Sequence, residues 1–182
     1  MMTSPKRKNN PQALRHRIII CTKELILKDG IANLSLQKVA DMAGTSKGGL
    51  CHHFKNKDDL IMSVFELFIA QINTAIMTHI TDEFGTFTKA YVHVLFDDTQ
   101  IGLSGDWAGL IQAMNADNKL RDLWTNWLNT KLAVHADTDS DSRLMAIRHA
   151  ADGTWLNQTS DDKLAEIRNY LLGLIEDIKP TN

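Results

Sequence analysis

The residues with the most distinctive chemistry lie together between positions 34 and 60, in the sequence LSLQKVADMAGTSKGGLCHHFKNKDDL. The stretch from Ser46 to His53 carries Lys47 and two histidines and contains no acidic residue. A short helix without negative charge can enter the major groove of DNA, because none of its side chains repels the phosphates. This composition indicates a nucleic-acid-binding helix.

Two short helices must position these side chains. Ser35 is a suitable N-cap for a helix over Leu36–Met42, and Ser46 is a suitable N-cap for the next one, which we expect to end near Phe54. Ala40 is small where the two helices approach, and Gly44 permits the bend between them. The pattern predicts a helix-turn-helix over about 35–54. The alternative is a corner between two helices of an ordinary bundle.

The charge distribution agrees with DNA binding. Residues 1–60 contain 11 Lys and Arg against 5 Asp and Glu, a balance of +6, whereas residues 61–182 have a balance of −8. A basic head on an acidic body is typical of a polyanion-binding protein. Gly48 and Gly49 are poor helix formers, so either packing or the proximity of DNA must explain them.

Cys51, His52 and His53 do not form a metal site, because consecutive helical residues point about 100° apart and cannot converge on one ion. Oxidation of Cys51 at a DNA surface would add negative charge and weaken binding, and this redox alternative stays open. Two cysteines cannot build a disulfide framework, which favours a cytoplasmic protein.

The sequence contains no phosphate-binding loop, nucleophile elbow or HExxH pair, so we predict no catalytic residue, metal or cofactor, and no enzyme activity. A basic N-terminal segment without an apolar core predicts no secretory signal. No stretch approaches the roughly 20 uninterrupted apolar residues of a membrane span.

The apolar spacing is helical throughout and predicts an all-α protein of about nine helices. Pro11 should open a first helix, whose apolar spacing runs over about Ala13–Lys28 and which should end at Gly30 in a left-handed cap. Asn56 should cap a fourth helix that runs to about Ile80. Further helices are expected near 82–97, 105–115, 118–135, 140–156 and 161–178. The breaks between them should fall at 102–105, 115–117, 137–141 and 157–160.

The segment 34–60, together with Ile18, Leu25, Ile26 and Gly30 of the first helix, resembles the DNA-binding domain of the TetR family of bacterial regulators. The family pattern is a Thr- or Ser-capped helix, Ile/Val-Ala, Ala-Gly-Val-Ser, a glycine-rich recognition helix with an aromatic residue and His-Phe, and then Lys-x-x-Leu. A weaker resemblance, RHAADGTWL at 148–156, is to a multidrug-regulator-like branch. The charged and polar N-terminal residues predict a disordered basic tail over 1–11. The resemblance implies a DNA-binding domain over 12–72 and a ligand-binding and dimerisation domain over 73–182.

The resemblance also implies roles for single residues. Thr45, Lys47 and Gly49 would lie closest to base edges, while His52 and Lys57 would meet phosphates. Phe54 would belong to the core. Cys51 stands where the family usually has tyrosine, which removes a phosphate-reaching hydroxyl, and Gly49 offers no side chain for base reading. The full set of predicted DNA-binding residues is Ser35, Thr45, Ser46, Lys47, Gly49, Cys51, His52, His53 and Lys57.

All four tryptophans lie in the acidic C-terminal part. They either fill the core or the dimer interface, or line a cavity whose aromatic walls and acidic neighbours, such as Asp97, Asp98, Asp106 and Asp152, would suit a flat apolar or cationic molecule. The candidate ligand-binding residues are His93, Trp107, Trp124, Trp127, His149, Asp152 and Trp155. The two histidines are equally consistent with interior or surface positions, and Gly153 is costly in a helix unless another backbone or a ligand lies close.

The last two helices carry apolar stripes, and the stripe of the final helix is too wide for contact with one neighbour. The resemblance implies that both helices pair with their copies in a four-helix dimer interface. The predicted interface residues are Leu144, Ile147, Ala151, Leu164, Ile167, Leu171, Leu174, Ile175 and Ile178.

These observations predict a homodimeric repressor that binds a palindromic DNA operator and is released by a small-molecule inducer. The alternative is a constitutive DNA-binding regulator whose C-terminal part only dimerises.

Overall fold

The computed structural model of the protein describes residues 10–97, 101–102, 107, 110, 117–154 and 159–178. Within this part of the chain there are nine α-helices and one 3₁₀ turn, which confirms the all-α fold. The helices are α1 Pro11–Asp29, α2 Leu36–Met42, α3 Lys47–Cys51, α4 Lys57–Met77, α5 Thr86–Asp97, α6 Asn118–Val134, α7 Ala136–Asp139, α8 Ser142–Gly153 and α9 Asp161–Asp177. The basic tail, most of the helix predicted at 105–115, and Trp155 lie outside the described residues.

The helix ends follow from capping side chains. α1 begins at Pro11, as predicted, and the Asn10 side chain caps it by accepting hydrogen bonds from the backbone N–H groups of Gln12 and Ala13, at 3.1 and 3.2 Å. α2 has the predicted bounds. α3 ends at Cys51, short of the predicted Phe54, and α4 ends at Met77 rather than near Ile80. Asn56 caps α4 as predicted, since its side chain accepts from the N–H of Asp59 at 2.8 Å.

Gly30 ends α1 with φ +79° and ψ 159°, and its N–H donates to Ile26 O at 2.9 Å. The positive φ confirms the need for glycine. The predicted left-handed helical cap is wrong, however, because the extended ψ places Gly30 in a region that is essentially restricted to glycine. The chain leaves α1 in an extended direction and then enters the 3₁₀ turn Ile31–Asn33.

The chain divides into two compact units, one ending at Val64 and the other beginning at Phe65. The domain boundary predicted at 72 stays a prediction. In the first unit α1 packs on α2, and α2 packs on α3. Its core consists of completely or almost completely buried side chains, which are Ile18, Ile26, Leu34, Val39, Ala40, Leu50, Phe54, Leu60 and Val64.

α4 is long and apolar enough, by length and composition, to cross a membrane, with a mean hydropathy of 1.7 over its most apolar 18 residues. Its large side chains are nevertheless those of a protein core. Phe65, Phe68, Ile72 and Ile76 are each at most 1% exposed. A helix that buries one such stripe is expected in a helical bundle.

The second unit is built around α5, of whose 12 residues eight are buried. α5 packs against α7, α8 and α9. Gly85, which precedes α5, has φ +71°, and a Cβ there would lie 3.1 Å from Ile175 Cγ2 and 3.3 Å from Leu144 Cδ2. Glycine at this position therefore allows α8 and α9 to pack closely against the start of α5.

The predicted break at 137–141 is wrong for its first half, because the chain continues as the short helix α7. The reason is a buried polar cluster around Asp139, which is 1% exposed. Its carboxylate accepts from the N–H groups of Phe87 and Thr88 at 3.1 and 2.8 Å and thereby caps α5 from a distant part of the chain. Arg148, 4% exposed, lies 3.8 Å away and donates to the Thr88 hydroxyl at 2.5 Å.

Candidate nucleic-acid interface

The bend between α2 and α3 depends on Gly44. Its φ of +64° lies in the left-handed region, and its N–H donates to Asp41 O at 3.2 Å. The N–H of Thr45 reaches back to Ala40 O at 2.9 Å. These bonds close the end of α2 and direct the chain into α3 within a few residues, as a helix-turn-helix requires.

α3 has only five residues, two of them glycine, so its conformation depends on its surroundings. Ser46 caps it by accepting from the N–H of Gly49 at 3.0 Å. Leu50 and Phe54, 0% and 1% exposed, anchor its inner face. The Arg15 guanidinium lies 4.9 Å from the centre of the Phe54 ring and donates to Ser63 Oγ at 3.2 Å. The predicted core role of Phe54 is confirmed.

The outer face of α3 presents the predicted DNA-binding side chains to solvent. Ser46, Lys47, Cys51 and His52 are exposed. Within the described residues, the side chain of Lys47 makes no hydrogen bond or ion pair, so it is available to a partner. Thr45, Gly49, His53 and Lys57 are partly exposed, and Ser35 is exposed at the start of α2.

Two of these residues have local roles as well. The Ser35 hydroxyl accepts from the N–H of Lys38 at 3.2 Å and caps α2. Lys57 Nζ donates to Ala32 O at 3.4 Å, which holds the ammonium group near the chain before α2. A phosphate contact by Lys57 would use the remaining two donors of the ammonium group.

The electrostatics of this face favour an anionic partner. No acidic residue occurs from Gly44 to Lys57. The nearest acids are engaged locally: Asp41 accepts from Gln37 Nε2 at 2.7 Å, and Asp59 accepts from the N–H of Lys55 at 3.0 Å. Among the described residues, no group of three His, Cys, Asp or Glu side chains could hold a metal ion.

The predicted ligand-binding residues of the second unit lie in different surroundings. Trp107 and Trp124, 2% and 8% exposed, both contact the Phe68 ring, at centroid distances of 5.2 and 5.9 Å. Trp127 lies against Trp124 at 4.8 Å and borders an open groove of about 430 Å³ between α4 and α6, which Glu66 and Asn73 also line. The Trp127 Nε1–H is buried and has no hydrogen-bond partner among the described residues.

The remaining candidates are polar. Asp152 is partly buried and accepts a short hydrogen bond from the fully buried Tyr91 hydroxyl. Burial raises the pKa of Asp152, and burial followed by the neighbouring Asp152 charge raises that of Tyr91. His149 is exposed. His93 Nδ1 lies 3.1 Å from Asp97 and 3.2 Å from Arg168, so it is a surface histidine with hydrogen-bond partners.

The predicted dimer residues divide into two groups. Six are already buried within the single chain, namely Leu144, Ile147, Ala151, Leu164, Leu171 and Ile175. Leu144 and Ala151 are 0% exposed, so a partner helix would not touch them. Ile167, Leu174 and Ile178 are partly exposed. Leu174 and Ile178 border an apolar groove of about 430 Å³ between α8 and α9, together with Ala146 and Ala150.

Comparison with known families gives the same division of the chain. Residues 18–64 match the model "Bacterial regulatory proteins, tetR family", and residues 85–176, about half of the chain, match "Tetracyclin repressor-like, C-terminal domain". The chain belongs to the TetR family. It is a DNA-binding transcriptional regulator whose helix-turn-helix is α2–α3, and the family is one of regulators rather than enzymes.

Curated relatives match the DNA-binding part alone. The HTH-type transcriptional regulator AcrR of Shigella flexneri is 34% identical over 62 residues, which are 34% of this chain and 29% of that protein. The uncharacterized HTH-type regulator YerO of Bacillus subtilis is 38% identical over 55 residues, which are 30% of this chain and 19% of that protein. The matched part thus spans less than a third of either relative.

Solved structures match nearly the whole TetR-family chain at low identity. The multidrug binding protein EbrR complexed with imidazole is 23% identical, with a TM-score of 0.70, 99% coverage of this chain and 100% of that one. A transcriptional regulator from Rhodococcus sp. Rha1 is 16% identical, with a TM-score of 0.73 and coverage of 91% and 99%. At these identities the likeness establishes the fold.

Several important residues of this regulator carried no recognisable signal in the sequence. Asp139 and Arg148 are two of many charges in the acidic half, and Tyr91 is one of many apolar positions in α5. Their roles depend on contacts more than 50 residues apart, for example between Tyr91 and Asp152. By contrast, the start of α1 was predicted from Pro11, although the capping role of Asn10 was not.

Proposed function

We propose that this TetR-family regulator is a homodimeric repressor that binds an inverted-repeat operator and is released by a small molecule. The observation that carries the proposal is the apolar groove between α8 and α9. Its walls are mostly apolar, with Ala146, Ala150, Leu174 and Ile178 beside Arg143 and Asp177. Tyr170, one helical turn before Leu174 on α9, is 68% exposed, which is unusual for a large aromatic side chain.

A second copy of the chain is the occupant that fits this groove. In a symmetric pair, the small residues Ala146 and Ala150 on α8 allow close approach of the partner's helices. Dimerisation then sets the operator geometry, because two α3 helices reach successive major grooves only when their centres are about 34–36 Å apart.

The dimer is tested by substitutions at two leucines of α9. Leu174→Glu places a charge on a partly exposed interface position and should give a folded monomer in sedimentation. Leu171 is 4% exposed in the single chain, so Leu171→Glu buries an unpaired charge and should unfold the protein. A folded dimer for Leu174→Glu would refute the interface.

At the DNA, we propose that Lys47 and Thr45 contact base edges and that His52 and Lys57 contact phosphates. The support is the exposure of Lys47 and His52 at the outer face of α3 and the absence of acidic residues around them. Ser35 and Ser46 cap α2 and α3, and His53 follows His52 in the chain. Cys51 contributes a small exposed thiol.

For the inducer we propose a planar cationic or apolar molecule. EbrR structures contain malachite green and ethidium, both planar cations. In this chain the groove at Trp127 is lined by the indole, by the Glu66 carboxylate and by Lys131, and its volume of about 430 Å³ is that of a drug-sized site. The half-buried Asp152 carboxylate is a second group suited to a cation.

The inducer must bind more tightly to the conformation that does not fit DNA, because a ligand shifts an equilibrium only through differential affinity. A tenfold loss of DNA affinity needs about 1.4 kcal/mol of coupling. α4 contains the junction of the two compact units, so a displacement of this helix could pass from one unit to the other. On this proposal the protein acts in the cytoplasm.

Tryptophan fluorescence titrated with ethidium and with malachite green tests the inducer class. Binding should be saturable, should weaken in Glu66→Gln or Asp152→Asn, and should reduce affinity for the operator. If neither dye binds, the second candidate is favoured, namely a constitutive regulator whose C-terminal unit only dimerises. The tight packing of Trp107 and Trp124 against Phe68 is the observation that supports that candidate.

A further inference from the structure

The two adjacent glycines of α3 are under different constraints. Neither has a positive φ, since within the described residues only Gly30, Gly44 and Gly85 do. At Gly49, a Cβ would lie 2.6 Å from Thr45 Oγ1 and 3.3 Å from Ser46 Oγ. Any side chain at position 49 would therefore displace the threonine or the capping serine. Glycine at this position leaves the Thr45 and Ser46 hydroxyls undisturbed.

Gly48 has no such constraint. The nearest atom to a Cβ at this position is Ser46 Oγ at 3.9 Å, an ordinary van der Waals distance, and the residue is exposed. At a position whose backbone conformation alanine can adopt, replacing glycine stabilises a protein by restricting the unfolded chain. Within the chain, glycine at 48 therefore costs stability and provides no local packing in return.

We propose that Gly48 is a steric contact with DNA, where the missing side chain lets the backbone of α3 touch the duplex. Close approach of backbone to a bound partner is one of the main uses of glycine. Gly48 follows the exposed Lys47 and precedes the exposed Cys51 and His52, in a stretch from Gly44 to Lys57 that contains no acidic residue. It lies in the N-terminal part of the recognition helix, the part that contacts base edges in helix-turn-helix proteins.

On this proposal the two adjacent glycines have different functions. Gly49, expected from its position to lie near base edges, preserves the arrangement of Thr45 and Ser46. Gly48, which is next to it, sets how closely α3 approaches the groove. Adding a side chain at position 48 should therefore raise stability and lower DNA affinity, whereas adding one at position 49 should lower both.

The experiment measures both properties in Gly48→Ala, Gly48→Leu and Gly49→Ala. The DNA probe is a duplex that the wild-type protein selects from a random pool, and affinity is measured at one fixed salt concentration. Gly48→Ala should unfold about 1–4 °C higher than wild type. It should bind the selected duplex about tenfold or more weakly, and Gly48→Leu should bind more weakly still.

Gly49→Ala is the matched control for adding a methyl group to α3. It should unfold at a lower temperature and lose DNA affinity, because it disturbs the cap. Wild-type DNA affinity in Gly48→Ala would overturn the proposal. So would a lower unfolding temperature in Gly48→Ala, since the glycine would then serve the fold. A loss of affinity confined to the selected duplex would support contact with base edges, whereas an equal loss on random duplex would support contact with the sugar–phosphate backbone.

Discussion

Asp139 is predicted to be among the most sensitive residues of the C-terminal unit. Asp139→Ala removes the charge that faces the buried Arg148 guanidinium, 3.8 Å away, and removes the acceptor for the N–H groups of Phe87 and Thr88. Breaking a buried ion pair by removing one partner costs about 3–5 kcal/mol, because the remaining charge is left uncompensated. Loss of a helix cap alone costs about 0.5–2 kcal/mol. We therefore expect a loss of about 3–5 kcal/mol in the free energy of unfolding.

Urea unfolding followed by circular dichroism, at one fixed protein concentration, measures this loss. Asp139→Asn keeps a side-chain oxygen for capping but removes the charge, so it should fall between alanine and wild type. Arg148→Met removes the other partner. In that background Asp139→Ala should cost at least about 1 kcal/mol less than it does alone, because no orphaned cation remains.

A loss below about 1 kcal/mol for Asp139→Ala would be no larger than the cost of losing an exposed helix cap. It would mean that the carboxylate does not compensate the charge of Arg148. Additive effects of the two substitutions would show that the two side chains do not interact. Either result would remove Asp139 as the residue that joins α7, α5 and α8.

Three further predictions concern the turn, the DNA contacts and pH. Gly44 has a φ of +64°, so Gly44→Ala should lower the free energy of unfolding by roughly 1 kcal/mol and lower the urea midpoint. An unchanged midpoint would exclude the left-handed turn. Lys57→Ala should reduce the slope of log K for DNA binding against log salt concentration by about 0.9. Lys47→Ala should cost about 1–3 kcal/mol of binding free energy on the selected duplex and little on random DNA. An unchanged slope for Lys57→Ala, or a uniform loss for Lys47→Ala, would contradict these roles. Burial raises the pKa of Asp152 above 3.8, so its contribution to stability is fully present below that pH and is lost as pH rises through the folded-state pKa. Asp152→Asn should remove this loss, and parallel stability–pH profiles for variant and wild type would refute it.

The N-terminal unit was predictable because its determinants are local. Ser35, Ser46 and Asn56 each cap the helix that follows within three residues, so cap residue and helix lie in one short stretch of sequence. Gly44 marks the turn by its position between two capped helices. The resemblance to the TetR family placed Phe54 in the core. The bounds of α2 follow from these signals.

The C-terminal unit was less predictable because its determinants are distant in sequence. The break expected at 137–141 rested on polar residues, which usually lie in solvent. Asp139 is instead buried as the cap of α5, 51 residues away from Thr88. In the same way, Leu144 and Ala151 carry the apolar signature of an interface, but the chain's own α5 and α9 already cover that side of α8. Periodicity indicates that a face is buried without identifying the element that covers it.

The recognition helix illustrates how the two kinds of determinant combine. An isolated helix of five residues with two glycines does not form in water, because nucleation costs more than so few hydrogen bonds return. α3 is ordered because Ser46 caps it, Leu50 anchors it, and Arg15 of α1 packs over Phe54. This support comes from Ser46, Leu50 and Phe54. On the proposal that the exposed side of α3 contacts DNA, that side can carry residues that do not favour a helix, such as Gly48.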